Sequence, residues 1–370
     1  MTGNGKNTKN YAIAVVPGDG IGPEVSAAAV QVVQAATNGS ASLSFTDYEA
    51  GANCYERTGD AFPPATQEAC KSADAVLHGA AGLPGVLYPD GTEAGQDFSM
   101  KIRASLDLYA NVRPIRLMEG VDGPLKRFAP GDIDYVFVRE NTEGMYAARS
   151  GGNLLHDAIA SDTMIITRAG TERVVRAAAE LSRQRNGAPR DGKRRVTIVD
   201  KSNVLRSFAF FRKVADEVLA EYPDIEVDYA IVDAMTLYMV ERPDSFDVIV
   251  CENLLGDILS DLGAATIGGL GMAASGEMGD KHGYFQASHG TAPDIAGKGI
   301  ANPVATILSG AMMLDWLGNR HDDNALTSAA ENIRRAVGTV LKDGTAVTGD
   351  LGGSASTTQC TNAVCAALNG

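Results

Sequence analysis

Phe246-Asp-Val-Ile-Val-Cys251-Glu-Asn253-Leu-Leu-Gly-Asp257-Ile-Leu-Ser-Asp261 passes from an apolar run of strand length directly into a helix-forming segment. Ligands gather beyond such strand ends in open α/β sheets. Two carboxylates, Asp257 and Asp261, stand four residues apart, so they stack on one helix face. Stacked aspartates repel unless a cation or proton lies between them, and all-oxygen ligands suit Mg²⁺ or Mn²⁺. Taken alone, the pair also fits a solvated helix face favoured by the helix dipole.

The same strand-to-helix alternation runs along most of the chain, the pattern of an α/β fold. Strands are expected at residues 11–16, 73–77, 134–138, 196–200, 227–232 and 246–251. Helices are expected at 171–184, with Thr171 as its cap, and at 208–221. A glycine loop, Gly18-Asp-Gly-Ile-Gly22, follows the first strand, and Pro23 and Glu24 open a helix after it. Four strands end on polar residues, Arg139, Lys201, Asp233 and Glu252, a recurrence that points to one functional sheet edge. Neither the first glycine loop nor Gly269-Leu-Gly-Met-Ala-Ala274 makes a dinucleotide fingerprint: one lacks the spacing, the other follows a helix.

With 370 residues the chain exceeds the usual single-domain size, so two domains are expected. A net charge of −14 excludes a nucleic-acid or anionic-membrane partner, and an anionic substrate then needs a local group of arginines. The N-terminal residues are polar, with no secretory or transit pattern, and no stretch is long and apolar enough for a membrane span. Five cysteines without a CxxC pair suggest reduced thiols and a cytoplasmic setting, without a zinc or disulfide framework.

Seven motifs together carry a resemblance. They are Pro17-Gly-Asp-Gly-Ile-Gly-Pro-Glu24, Asp107-Leu-Tyr-Ala-Asn-Val-Arg-Pro114, Val138-Arg-Glu-Asn-Thr-Glu-Gly144 and Asp200-Lys-Ser-Asn-Val-Leu205. The others are Asn253 to Asp261, Ser288-His-Gly-Thr-Ala-Pro-Asp-Ile-Ala-Gly-Lys-Gly-Ile-Ala-Asn-Pro303 and Asp350-Leu-Gly-Gly353. In this order they resemble the β-decarboxylating dehydrogenases, the isocitrate, isopropylmalate and tartrate dehydrogenase family, and isopropylmalate-type members most of all.

That resemblance implies an α/β fold of the isocitrate/isopropylmalate dehydrogenase type rather than a Rossmann fold. Residues 1–108 with 268–370 would form the cofactor domain and residues 109–267 the substrate domain, with a cleft between them. An arm at about 144–170 would join two subunits into a homodimer with shared active sites. Arg103, Arg113 and Arg139 match substrate arginines, whose fixed forks suit carboxylates, and Ser99 lies among the substrate contacts. Asp257, Asp261 and, from the second subunit, Asp233 match the ligands of Mg²⁺ or Mn²⁺. Lys201 matches the base that takes the C2 hydroxyl proton, and Tyr146 the acid that protonates C3. His289, Gly290, Thr291, Ala292, Asp294, Ile295 and Asn302 match the adenosine loop. Asp294 there favours NAD, since a carboxylate repels a 2′-phosphate.

The implied reaction is the NAD-dependent oxidative decarboxylation of a 3-substituted (2R)-malate, with tartrate or D-malate and isocitrate as alternatives. A silent regulatory subunit is disfavoured because Tyr146, Lys201 and all three aspartates are present. The helix Gln96-Asp-Phe-Ser-Met-Lys-Ile-Arg103 departs from the isopropylmalate, isocitrate and homoisocitrate patterns alike. Phe98, Ser99 and Met100 are expected to line a pocket for the C3 substituent.

Overall fold

The structure is a computed structural model that describes residues 9–148 and 151–368. The N-terminal stretch through residue 8 and residues 149 and 150 of the expected arm lie outside the described residues. The chain divides into two compact units, Met1–Ile102 with His282–Gly370, and Arg103–Lys281. The second crossing falls later than the expected residue 268. The cause is a short strand at Ala274–Met278, which pairs with the middle segment's own sheet and so remains with it.

The first unit opens with β1 (Asn10–Gly18), α1 (Gly22–Thr37), β2 (Ser42–Asp47), α2 (Ala52–Thr58), α3 (Pro64–Ser72), β3 (Ala75–Ala80) and α4 (Ala94–Ser105). Pro23 stands in the first turn of α1, where its missing N–H costs nothing. Asp19 of the glycine loop is fully buried. It accepts the N–H groups of Ala52 (2.7 Å), Asn53 (2.9 Å) and Gly82 (2.9 Å), so this carboxylate satisfies the free donors of α2. A loop built this way is a structural clamp rather than a phosphate cradle. Phe98 on α4 is buried against Phe62 at 4.9 Å and His78 at 5.1 Å between ring centroids. It is a core residue and cannot line a substrate pocket; Ser99 and Met100 beside it are half-buried.

The second unit holds β4 (Ala110–Arg116), β5 (Asp134–Glu140), the hairpin β6 (Asn153–Leu155) and β7 (Ile159–Ser161), and α5 (Arg168–Gln184). It continues through β8 (Arg195–Asp200), α6 (Arg206–Leu219), β9 (Glu226–Ile231), α7 (Val232–Glu241), β10 (Val248–Cys251), α8 (Asn253–Thr266) and β11 (Ala274–Met278). Its strands lie in the order β11-β4-β5-β10-β8-β9, antiparallel at β11–β4–β5 and parallel from β5 onward. Because β5, β10, β8 and β9 are parallel, their C-terminal ends share one edge.

Helices α5 and α6 bury Val174, Val175, Ala178, Phe211, Ala215 and Val218 against Val196, Ile198 and Val250 of that sheet. The cap of α5 is Thr167, whose side chain accepts the Gly170 N–H, rather than Thr171. Thr171 turns its hydroxyl back to the Thr167 carbonyl at 2.8 Å and is buried within the first turn. Sequence pattern alone did not separate two threonines four residues apart.

The chain returns to the first unit with β12 (Gly283–Ala287), α9 (Val304–His321), α10 (Asn324–Asp343) and α11 (Thr357–Ala367). Strand β12 completes a parallel sheet β2-β1-β3-β12, and α1 packs on α9 and α11. No helix among the described residues is long and apolar enough to cross a membrane, and all five cysteines are free thiols.

Candidate functional site

The shared strand edge of the second unit is where its charges collect. Glu252 follows β10 and caps α8, accepting the N–H groups of Leu254 (3.1 Å) and Leu255 (3.3 Å). The sequence reading grouped it with the functional strand-end residues; here it is a cap, worth about 1 kcal/mol to the helix. The cap fixes where α8 starts, and one turn later Asp257 emerges from the first turns of that helix.

Arg139, at the end of β5, is 1% exposed and carries its charge among side chains rather than water. Its Nε and Nη2 donate to the Asn253 amide oxygen at 3.0 and 2.7 Å, and its Nη1 pairs with Asp257. Burial, with Arg113 and Arg103 nearby, pushes its pKa down to about 10. Gly256 is required beside it: a Cβ there would lie 2.6 Å from Arg139 Cγ. Arg113 on β4 donates to Ser260 Oγ at 2.7 Å and stands 3.3 Å from Asp257 and 3.7 Å from Asp261. Tyr146 opens a single 3₁₀ turn and donates its hydroxyl to Asp257 at 2.8 Å. Burial and the Asp257 charge push that phenol up to about 12, so it retains its proton at neutral pH.

These contacts split the two aspartates. Burial works to raise Asp257, but Arg139, Arg113 and the Tyr146 hydrogen bond outweigh it and hold the carboxyl below its usual range. Asp261 is raised, chiefly by burial and then by the charge of Asp257, with Arg113 opposing. Both carboxylates remain accessible to solvent, their side chains 35% and 55% exposed.

Arg103 leads to a residue that sequence reading did not single out. Its Nε and Nη2 fork onto Glu277 of β11 at 2.9 and 2.8 Å. Glu277 is fully buried and also accepts from Asn141 at 2.8 Å and Asn111 at 3.3 Å. Burial alone would raise this carboxyl; Arg103 and the Asn141 hydrogen bond reverse that and lower it. A glutamate inside a short apolar strand was the available signal.

Lys201 and Asp233 form a separate pair. Lys201 follows β8, Asp233 is in the first turn of α7, and the two make an ion pair. The Lys201 hydrogen bond lowers the Asp233 carboxyl. Among the described residues no group of three His, Cys, Asp or Glu side chains is placed to hold a metal, so one chain does not bring Asp233 to Asp257 and Asp261.

The adenosine-loop residues lie in the first unit. Thr291 accepts the Ile21 N–H through its carbonyl at 2.8 Å, and Gly20 permits the approach, since a Cβ there would meet that oxygen at 2.1 Å. Ala292 takes a left-handed conformation (φ 39°), and Ile295 packs toward Ile21, Val25 and Ala301. Asn302 donates to Asp350 at 2.9 Å, and Thr348 donates to the other oxygen of that carboxylate at 2.6 Å. Asp294 and Gly290 are exposed. His289 Nδ1 lies 2.9 Å from the Gly290 carbonyl, while its Nε2 and the Ser288 hydroxyl are buried without a protein hydrogen-bond partner.

Comparison with known proteins matches the chain to one family. The isocitrate/isopropylmalate dehydrogenase family model covers residues 12–364. The 3-isopropylmalate/3-methylmalate dehydrogenase of Methanocaldococcus jannaschii is 43% identical over 348 residues, 94% of this chain and 96% of that protein. The 3-isopropylmalate dehydrogenase of Thermobifida fusca is 43% identical over 346 residues, 91% of this chain and 93% of that one. A solved structure of isocitrate dehydrogenase from Methylococcus capsulatus superposes with a TM-score of 0.86 at 38% identity, covering 97% of this chain and 100% of that one. The chain belongs to the isocitrate/isopropylmalate dehydrogenase family and is a decarboxylating dehydrogenase of that family.

Proposed function

We propose that the protein oxidatively decarboxylates a 3-substituted (2R)-malate of the isopropylmalate type, using NAD and Mg²⁺ or Mn²⁺, as a cytoplasmic homodimer with shared active sites. The observation that carries this reading is the meeting of Arg113 and Arg139 with Asp257, Asp261 and Tyr146 around one helix start, with Arg103 close enough for its charge to act on Asp257 and Tyr146. Three guanidinium groups make an anion site inside an acidic protein.

The donor set fits a hard divalent cation. Asp257 and Asp261 would hold it with Asp233 of a second copy, since all are carboxylates. A cation held by these carboxylates would supply Lewis-acid polarisation of the substrate's C2 oxygen. NAD supplies the hydride acceptor; Asp294 would bind its ribose hydroxyls, and the orphaned His289 Nε2 and Ser288 hydroxyl give its loop unmet hydrogen-bonding capacity.

The remaining steps belong to the chain's own residues. Lys201 accepts the proton of the C2 hydroxyl as the C2 hydride departs. The arginines hold the carboxylates while the C3–carboxyl bond breaks and carbon dioxide leaves. Tyr146, protonated at neutral pH, then delivers a proton to C3 of the resulting enolate.

A second copy also accounts for exposed apolar surface within the second unit. Leu154, Leu155 and Ile159 on the β6–β7 hairpin, Leu237 and Val240 on α7, and Ile258 on α8 are all exposed. Leu154, Leu155 and Ile159 share one short hairpin, a grouping that supports an interaction surface there. NADH formation with Mg²⁺ or Mn²⁺, measured across 3-isopropylmalate, isocitrate, homoisocitrate, D-malate and tartrate, tests the reading. Highest kcat/KM is expected for 3-isopropylmalate; equal inactivity on all five sinks the proposal.

A further inference from the structure

The three arginines differ in what holds their Nε edge. Arg139 rests on a neutral amide oxygen, Asn253, and Arg113 lies 3.3 Å from the neutral Asn111 oxygen. Arg103 alone of the three turns that edge, Nε and Nη2 together, onto a fully buried carboxylate. We infer that Glu277 sets the net charge of the anion pocket and so selects dicarboxylate over tricarboxylate substrates, an inference that rests on the proposed function.

Arg103 and Glu277 are both buried, so water screens their charges little. Arg103, Arg113 and Arg139 face three carboxylates, Asp257, Asp261 and Glu277. Glu277 cancels the charge of Arg103, so the group offers one positive charge fewer than its three guanidinium groups would, which suits a malate whose C3 substituent is uncharged. A third carboxylate on that substituent would lack the counter-charge that Arg103 without Glu277 would offer. Glu277 does not reach the substrate, since Arg103, Asn111 and Asn141 surround it. Its effect is electrostatic, and it also denies a substrate the Nε–Nη2 edge of Arg103. Glu277 is thus a positioning and specificity residue rather than a catalytic one.

Calorimetric titration of 3-isopropylmalate and of isocitrate, with Mg²⁺ present, tests this on the whole protein. E277Q is expected to move the affinity ratio toward isocitrate by about tenfold, with the shift shrinking as salt rises. E277D retains the charge and loses the fork, so both affinities fall and the ratio stays near the native value. The double variant R103Q/E277Q removes cation and anion together, leaves no unpaired buried charge, and should likewise preserve the ratio if E277Q does not fold. Equal shifts in E277Q and E277D, no shift in E277Q, or a shifted ratio in the double variant overturns the inference. A native protein that binds both anions but turns over neither defeats the proposed activity, while the ratio still judges Glu277. One that binds neither defeats both.

Discussion

The second unit carries two charged groups built on opposite principles. Around α8, Arg139 is buried at 1% exposure, and its Nε, Nη1 and Nη2 all donate to Asn253 or Asp257 of the same chain. Between β8 and α7, Lys201 and Asp233 are 30% and 68% exposed, and among the described residues their side chains pair only with one another. The first group shows a site preorganised before any ligand arrives, since its donors are already aimed and desolvated. The second shows a lysine and a carboxylate held at a surface where Leu205 and Leu237 are also exposed. Packing explains the first group. The second group is the one that the proposed second copy would complete.

Complementation offers the sharpest way to break that contrast. Lys201→Met is expected to lower turnover by about a hundredfold to ten-thousandfold. Its melting temperature should hold, because among the described residues the Lys201 side chain bonds only to exposed Asp233. Asp257→Asn should be inactive for the other reason, the loss of a cluster carboxylate. Co-expressed, the two inactive chains should regain about a quarter of native activity, since a hybrid dimer with shared sites has one site free of both lesions. Sites confined to single chains would give no recovery at all, which is measured directly as NADH formation by the purified mixture.

A smaller effect separates the groups by packing. Gly256→Ala places a Cβ 2.6 Å from Arg139 Cγ and 3.1 Å from Cys251 Sγ. Helix propensity favours alanine by about 1 kcal/mol, but overpacking costs about 1–3 kcal/mol. The buried arginine cannot give way without leaving Asn253, so the net change should be a loss. A lowered urea midpoint is expected, together with a raised KM as Arg139 is displaced. An unchanged midpoint and KM would mean that the cluster is softer than its burial implies.

Local pattern made the first group legible and hid how it is held. The parallel edge, the strand–helix step into α8 and the residues Arg139, Asp257 and Asp261 follow from short stretches of sequence. Glu277 does not, because the arginine it neutralises lies 174 residues away and no periodicity links them. Glu252 was misassigned since a strand-end carboxylate can ligate or cap, and only the positions of the Leu254 and Leu255 N–H groups decide. Phe98 was placed in a pocket because adjacent helix residues were read as one surface; successive residues are about 100° apart, and Phe98 faces Phe62. The family motifs pointed to Arg139, Asp257 and Asp261, which the fold brings together, but not to the neighbours that set their charge and geometry.

The mildest structural change tests the second group. Asp233→Asn removes a carboxylate that is mostly exposed and bonded to Lys201, so its loss strands no buried charge. Pairs of this kind add little to stability. The melting temperature should therefore remain within experimental scatter of the native protein. The same substitution weakens one of three proposed metal ligands, and the Mg²⁺ concentration for half-maximal activity should rise by about tenfold to a hundredfold. Lys201→Met should leave that Mg²⁺ requirement nearer its native value at whatever turnover remains, because the lysine is assigned a proton and not the metal. If Asp233→Asn lowers the melting temperature and leaves the Mg²⁺ dependence alone, the pair is a structural tie within one chain, and the need for a second copy disappears with it.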